Sequence, residues 1–244
     1  MPCSPLAVVL AIVLSSTVAV AQAPGTARPT PTRTVLASHS LPSVVDAPLT
    51  FRLLRVSLAA GHTTEIAGEY GFVYLLSGTV TVSGRGGAAT LRDGEAEFVG
   101  GPPATLRAGA PGPAVFLHFL LLRKSGPAPP APTAPAAAAT LYTDGPAISG
   151  LREGPHEFTL TRVTFPPKLP LNAPHRRSGA ALYYVAGGAG TIAFAGRTEP
   201  RPAGSVQYEP SDFVHQWGNP GDTPLVLIQA NISPEGAPVV ILTP

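Results

Sequence analysis

The sequence predicts an all-β chain: two tandem jelly-roll β-barrels joined by a Pro/Ala-rich linker. Three observations carry this. Glycine (26) and proline (30) are abundant and separate short runs rich in Val, Leu, Thr and Tyr, as expected for short strands joined by tight turns. No segment shows a capped 3.6-residue apolar period. The stretches on either side of the linker read as copies of one another.

The elements follow in chain order. Leu6 to Val20 is an unbroken run of apolar and small residues, too short to span a bilayer comfortably. Two small-x-small sites follow, Ala19-Val20-Ala21 and Ala21-Gln22-Ala23. Residues 1–21 therefore read as a signal peptide, and the mature protein is expected to be secreted or periplasmic, with no stable membrane span. Cys3, the only cysteine, precedes the apolar run. Its removal leaves no disulfide and no thiolate ligand. Pro24 to Thr34 is Pro/Thr-rich, and residues 22–44 are expected to form a disordered leader.

Residues 45–124 are read as the N-terminal barrel, with strands over Phe51–Leu58, Phe72–Ser83, Glu95–Val99 and Ala114–Leu122. Residues 125–144 are the linker, where repeated prolines favour an extended polyproline II spacer. Residues 145–244 are the C-terminal barrel, with strands over Glu157–Phe165, Ala181–Ala195, Ser205–Glu209 and Leu225–Ile232. A shift of 110 positions brings Tyr74 to Gly78 onto Tyr184 to Gly188, Gly94 onto Gly204 and Phe98 onto Tyr208. These matches fall on turn glycines and on aromatics expected to point inward, where geometry is most restrictive.

Charged residues make up 12% of the chain and the formal net charge is +2. That balance does not suit a nucleic-acid partner. There is no G-x-S-x-G elbow, phosphate-binding loop or dinucleotide fingerprint. The glycines of Ala186 to Gly190 are turn residues.

The run from Gly204 to Asn219, with Pro210 and His215, closely resembles the second cupin motif, G-x5-P-x-G-x2-H-x3-N, with Asp212 at the middle glycine. The whole chain is similar to a bicupin over about residues 45–122 and 145–240, with degenerate metal-binding motifs. Anchored on Gly188, the family's first motif places His175, Arg177 and Ala181 at its two histidine positions and its glutamate. Anchored on Gly78, it places Glu65, Ala67 and Gly71 there, with Thr105 at the second-motif histidine. The N-terminal copy thus keeps no histidine ligand.

The resemblance implies a barrel interior entered by His215. Residues two apart on a strand share a face, so an inward His175 brings Arg177 with it. A guanidinium repels a dication but suits a carboxylate or phosphate. Tyr183, Tyr208 and Trp217 are expected at the pocket wall, depending on strand facing. His118 is expected to be a hydrogen-bonded histidine on a half-buried strand. The first expectation is an exported protein binding a small polar or anionic molecule through His175, Arg177, Tyr183, Tyr208, His215 and Trp217. The second, implied by the family, is an enzyme of dioxygenase or decarboxylase type. It would hold one divalent metal (iron, manganese, nickel or zinc) at His175 and His215. The third is an oligomeric interaction module paired through barrel edges.

Overall fold

The computed structural model describes residues 29–44, 48–66, 70–84 and 86–243. The signal-peptide expectation at residues 1–21 and the motif position Ala67 lie outside these residues. Strands and turns make up the regular structure, and the described residues contain no helix.

The elements are β1 (Thr32–Leu41), β2 (Leu49–Leu58), β3 (Thr63–Ile66), β4 (Tyr70–Ser77), β5 (Thr79–Gly84), β6 (Gly87–Arg92), β7 (Ala96–Val99), β8 (Ala104–Ala108) and β9 (Ala114–Arg123). They continue with β10 (Ala136–Tyr142), β11 (His156–Phe165), β12 (His175–Arg177), β13 (Ala180–Gly187), β14 (Ala189–Phe194) and β15 (Arg197–Pro202). The last are β16 (Val206–Glu209), β17 (Gln216–Gly218), β18 (Leu225–Pro234) and β19 (Val240–Leu242). Two runs expected as single strands are each split by a glycine. Gly78 (φ 95) separates β4 from β5, and Gly188 (φ 73) separates β13 from β14.

The N-terminal barrel is the sheet β10-β2-β9-β4-β7 facing the sheet β3-β8-β5-β6. The C-terminal barrel is the sheet β1-β11-β18-β13-β16 with the smaller sheets β15-β14-β17 and β12-β19. The two barrels are therefore cross-strapped. Strand β1 precedes the first barrel in sequence but pairs with β11 of the second. Strand β10 lies at the end of the linker but pairs with β2 of the first.

Two expectations are corrected here. The leader is not disordered over 22–44, because Thr32–Leu41 is a strand. The linker is not a spacer throughout, because Ala136–Tyr142 is a strand. The cause is the same in both. Strands β2 and β11 each have an outer edge of unpaired backbone groups, and pairing that edge outweighs a weak local propensity.

Alternation along each strand sorts side chains into three cores. The five-stranded sheets pack face to face through Phe51, Phe72, Phe119, Phe158, Leu182 and Ile228, among others. The inside of the N-terminal barrel is mainly apolar, built around Val56, Val73, Val82, Leu106, Phe116 and Leu120, with His118 buried among them. The inside of the C-terminal barrel has a smaller apolar cluster, including Val163, Phe165, Val185, Ile192, Leu225 and Leu227.

The copies match in backbone detail. Gly94 N–H donates to Leu75 O and Gly204 N–H to Val185 O, each at 2.8 Å. Both glycines have positive φ, 82° and 87°. Beyond β7 and β16 the offset grows by one residue. Val82 pairs with Leu106, while its equivalent Ile192 pairs with Trp217. The counterpart of His215 is therefore Ala104, not Thr105. Thr105 lies on an exposed face, between the buried residues Ala104 and Leu106.

Candidate functional site

The C-terminal barrel encloses a polar cluster placed by four short segments. His175 and Arg177 share a face of β12, as two-residue spacing requires, and both are buried. A backbone bridge joins His175 to His215, with N–H donations of 3.0 and 2.9 Å in the two directions. The imidazole centroids are 4.3 Å apart. Phe213 N–H donates to Pro210 O at 3.2 Å, closing the Pro-Ser-Asp turn that leads into His215.

Asn219 anchors the returning strand. It is fully buried, and its Nδ2 donates to Phe165 O, Pro166 O and Thr223 O at 3.1, 3.1 and 2.9 Å. Its Oδ1 accepts from Gly221 N–H at 3.0 Å. This fixes β17 and directs Trp217 inward.

At the centre is Glu209, which the sequence reading missed. Arg177 Nε donates to its Oε2 at 3.0 Å. Trp217 Nε1 donates to its Oε1 at 2.8 Å. His215 Nε2 lies 2.9 Å from the same oxygen but is not aligned as a hydrogen bond. Burial alone would raise the Glu209 pKa, but Arg177, His215 and Trp217 overcome it and hold the carboxyl at about 2. Arg177 is shifted below its ordinary value by burial, against the pull of Glu209. Its guanidinium carbon lies 5.4 Å from the centroid of the Tyr183 ring, and Tyr183 packs 5.8 Å from Trp217.

The structure thus brings together His175, Arg177, Tyr183, His215 and Trp217, each no more than 3% exposed. Tyr208 is the exception. It faces the interface between the barrels, 6.2 Å from Phe51 and 6.0 Å from Tyr142, where burial raises its pKa to about 12. Its position inside the barrel is corrected by alternation: with Tyr208 outward, Glu209 is inward. The matched Phe98 also packs on the interface core, so the two copies share this facing. Arg177 lies in the cluster as expected, and it already pairs with Glu209. His118, expected on a half-buried strand, is fully buried inside the N-terminal barrel, and its Nε2 has no partner.

Three buried polar atoms of the cluster lack hydrogen-bond partners: Arg177 Nη1, Tyr183 Oη and His215 Nε2. A concavity of about 310 Å3, lined by Leu171, Pro174, Phe194 and Val214, reaches His215 from outside. A larger one, of about 850 Å3, lies elsewhere, between Thr63, Glu65, Thr105 and the proline run Pro129–Pro135.

The residues do not fit a resident divalent metal. The Nδ1 atoms of His175 and His215 donate to Ala173 O and Phe213 O at 2.9 and 2.8 Å. That anchoring suits metal-ligating imidazoles. Yet Glu209 is committed to Arg177 and Trp217, and the Arg177 guanidinium stands where a dication would be repelled. Among the described residues, no group of three or more His, Cys, Asp or Glu is placed to hold a metal ion.

Residues 161–231 match the family model described as "Cupin domain". No curated protein matches the sequence. Among solved structures, the fold is similar to an oxalate decarboxylase at 16% identity, covering 89% of this chain and 80% of that one, with a TM-score of 0.55. A second similar structure is the Bacillus subtilis oxalate decarboxylase, at 16% identity, 89% and 80% coverage, and a TM-score of 0.52. A weaker likeness, with a TM-score of 0.48, is to a salicylate 1,2-dioxygenase from Pseudaminobacter salicylatoxidans, at 12% identity and 76% coverage of each chain. Residues 161–231 thus resemble a cupin domain, and the chain carries the cupin-type jelly roll twice in tandem.

Proposed function

We propose that this is an exported bicupin with degenerate metal motifs. In this reading its C-terminal barrel binds a small polar or anionic molecule without a complete catalytic metal site. The observation that carries it is a position-by-position contrast between the barrels. The register pairs Ile66 with Ala104 where the C-terminal barrel pairs His175 with His215. Val99 stands opposite Gly71 where Glu209 stands opposite Ala181. Leu106 replaces Trp217, and Val73 replaces Tyr183.

The same framework therefore closes in the N-terminal barrel around apolar side chains and one histidine, His118, so the fold does not require the Arg177–Glu209 cluster. A buried ion pair adds little stability over apolar packing. Each unpaired buried polar atom costs about 1–3 kcal/mol. A polar occupant that pairs Arg177 Nη1 and Tyr183 Oη removes that penalty.

A second reading is a metal-dependent enzyme, and the carbonyl-anchored imidazoles favour it. Elemental analysis of the purified protein, beside His175→Ala and His215→Ala, separates the two. The binding reading expects metal well below one equivalent and no change on substitution. Stoichiometric metal lost in both variants overturns it.

A further inference from the structure

The exchanged strand β1 brings one more charge to this barrel. Arg33 pairs across the ladder with Val163, an interior residue, so Arg33 lies on the interior-facing side of its sheet. Its Nη1 donates to Gln229 Oε1 at 3.3 Å. From there a polar ladder runs along β18: Gln229 Nε2 to Asn231 Oδ1 at 3.4 Å, then Asn231 Nδ2 to Ser233 Oγ at 2.7 Å. All three ladder residues are buried. Arg33 itself is exposed and so stands at the solvent edge of the interior. Its guanidinium feels Glu209, and Arg177 feels Arg33 in turn.

The counterpart strand β10 shows that this charge is not needed for strand exchange. Val163 pairs with Leu227 as Val56 pairs with Phe116, and the residue that β10 sets against Val56 is Ala138. The Arg33 position is thus alanine in the apolar barrel.

We propose that Arg33 is a ligand-binding residue of the C-terminal barrel, supplied by the N-terminal strand, and that Arg33 and Arg177 together select a small monocarboxylate. The inference rests on the binding reading above. Arg33 and Arg177 bring two guanidinium groups to an interior that holds one carboxylate, Glu209. The balance is positive, and a small anion offsets it. Arg177 Nη1 and Tyr183 Oη are the unpaired donors inside, and a planar carboxylate accepts from such donors through both oxygens. Arg33 at the rim attracts the anion inward.

The test is calorimetric titration of the full mature protein with formate, acetate and inorganic phosphate, beside thermal unfolding without added anion. The wild type is expected to bind a carboxylate more tightly than phosphate. Arg33→Gln is expected to weaken carboxylate binding about tenfold. It should leave the anion-free melting temperature unchanged or higher, because one of two like charges is gone. Arg33→Lys, which keeps the charge, should recover part of the affinity. Wild-type affinity in Arg33→Gln, with binding lost in Arg177→Gln, overturns the role of Arg33 and leaves the binding reading standing. A preference for phosphate overturns the ligand class. Parallel loss of affinity and anion-free stability in Arg33→Gln makes the residue structural and overturns the inference. A wild type that binds none of the three probes overturns the inference together with the reading beneath it.

Discussion

Arg177 and Glu209 form an ion pair in which both side chains are shut off from solvent, 1% and 0% exposed, with Nε 3.0 Å from Oε2. The pair is also the charged floor of the proposed binding site. Removing one partner strands the other charge in an apolar wall. Glu209→Leu or Arg177→Met alone is therefore expected to destabilise the protein by about 3–5 kcal/mol. The double variant Arg177→Met/Glu209→Leu should recover most of that loss, because apolar side chains of similar volume replace the pair. Urea unfolding of the four proteins measures the coupling. Additive losses in the double variant would show that the pair is not a unit.

Stability should fall as the medium turns acidic, and the sign follows from the buried groups. Burial, assisted by Arg52, lowers the His118 pKa from 6.5 to about 3. Burial also lowers that of His175, to about 4. Between these values and 6.5 the unfolded chain takes up protons that the folded protein refuses. The stabilisation is complete above 6.5 and is lost as pH falls through that window. Glu209 extends the loss from its ordinary 4.5 down to about 2. His118 alone should account for about 2 kcal/mol between pH 7 and 4.5. His118→Gln, which places there the residue type of its counterpart Gln229, should flatten the slope over this range. An unchanged pH profile in that variant would disprove the assignment.

Much of this was legible in the sequence, and the limits have physical causes. The turn glycines Gly78, Gly94, Gly188 and Gly204 were readable because positive φ restricts residue choice locally. His215 was readable because its motif is local. His175 followed from anchoring the first motif on Gly188, and Arg177 shared its face by two-residue spacing. Glu209 escaped because facing is known only relative to a register, and the inward aromatic was set at Tyr208, one residue too early. Strands β1 and β10 escaped for another reason. Each is made by a partner far away in sequence, so their Pro- and Ala-rich surroundings predicted loop. The one-residue offset that gives Ala104 as the match to His215 lies in a connection, where pairing must be seen to be counted.

The reciprocal strands predict mutual dependence of the barrels. Strand β1 covers the edge of β11 and contributes Leu41 to the interface core. His39 also stacks on Phe98 of the other barrel at 3.9 Å. A chain lacking residues 1–41 should therefore lose protection in β11 of the C-terminal barrel, although all of residues 145–244 remain. Hydrogen exchange followed by peptide mass analysis reads this directly. Protection in β11 equal to that of the full chain would show that β1 is dispensable.

The repeat also predicts a graded response to single methyl groups at positive-φ glycines. At Gly78 an added Cβ would lie 2.7 Å from Pro113 O, and at Gly188 it would strike Pro224 O. Both obstacles are backbone, held by the turn into the last long strand of each barrel, so neither can step aside. At Gly196, with φ 75, no atom lies within 4 Å of an added Cβ. Gly196→Ala should therefore show only the conformational penalty, about 1 kcal/mol. Gly78→Ala and Gly188→Ala should each lose about 3 kcal/mol, strain and collision together. The losses at the two matched sites should be alike, because the copies place the same carbonyl against the same glycine. Denaturant midpoints for the three variants test the order. Equal effects at all three positions would mean that φ alone, not the shared close approach, fixes the glycine.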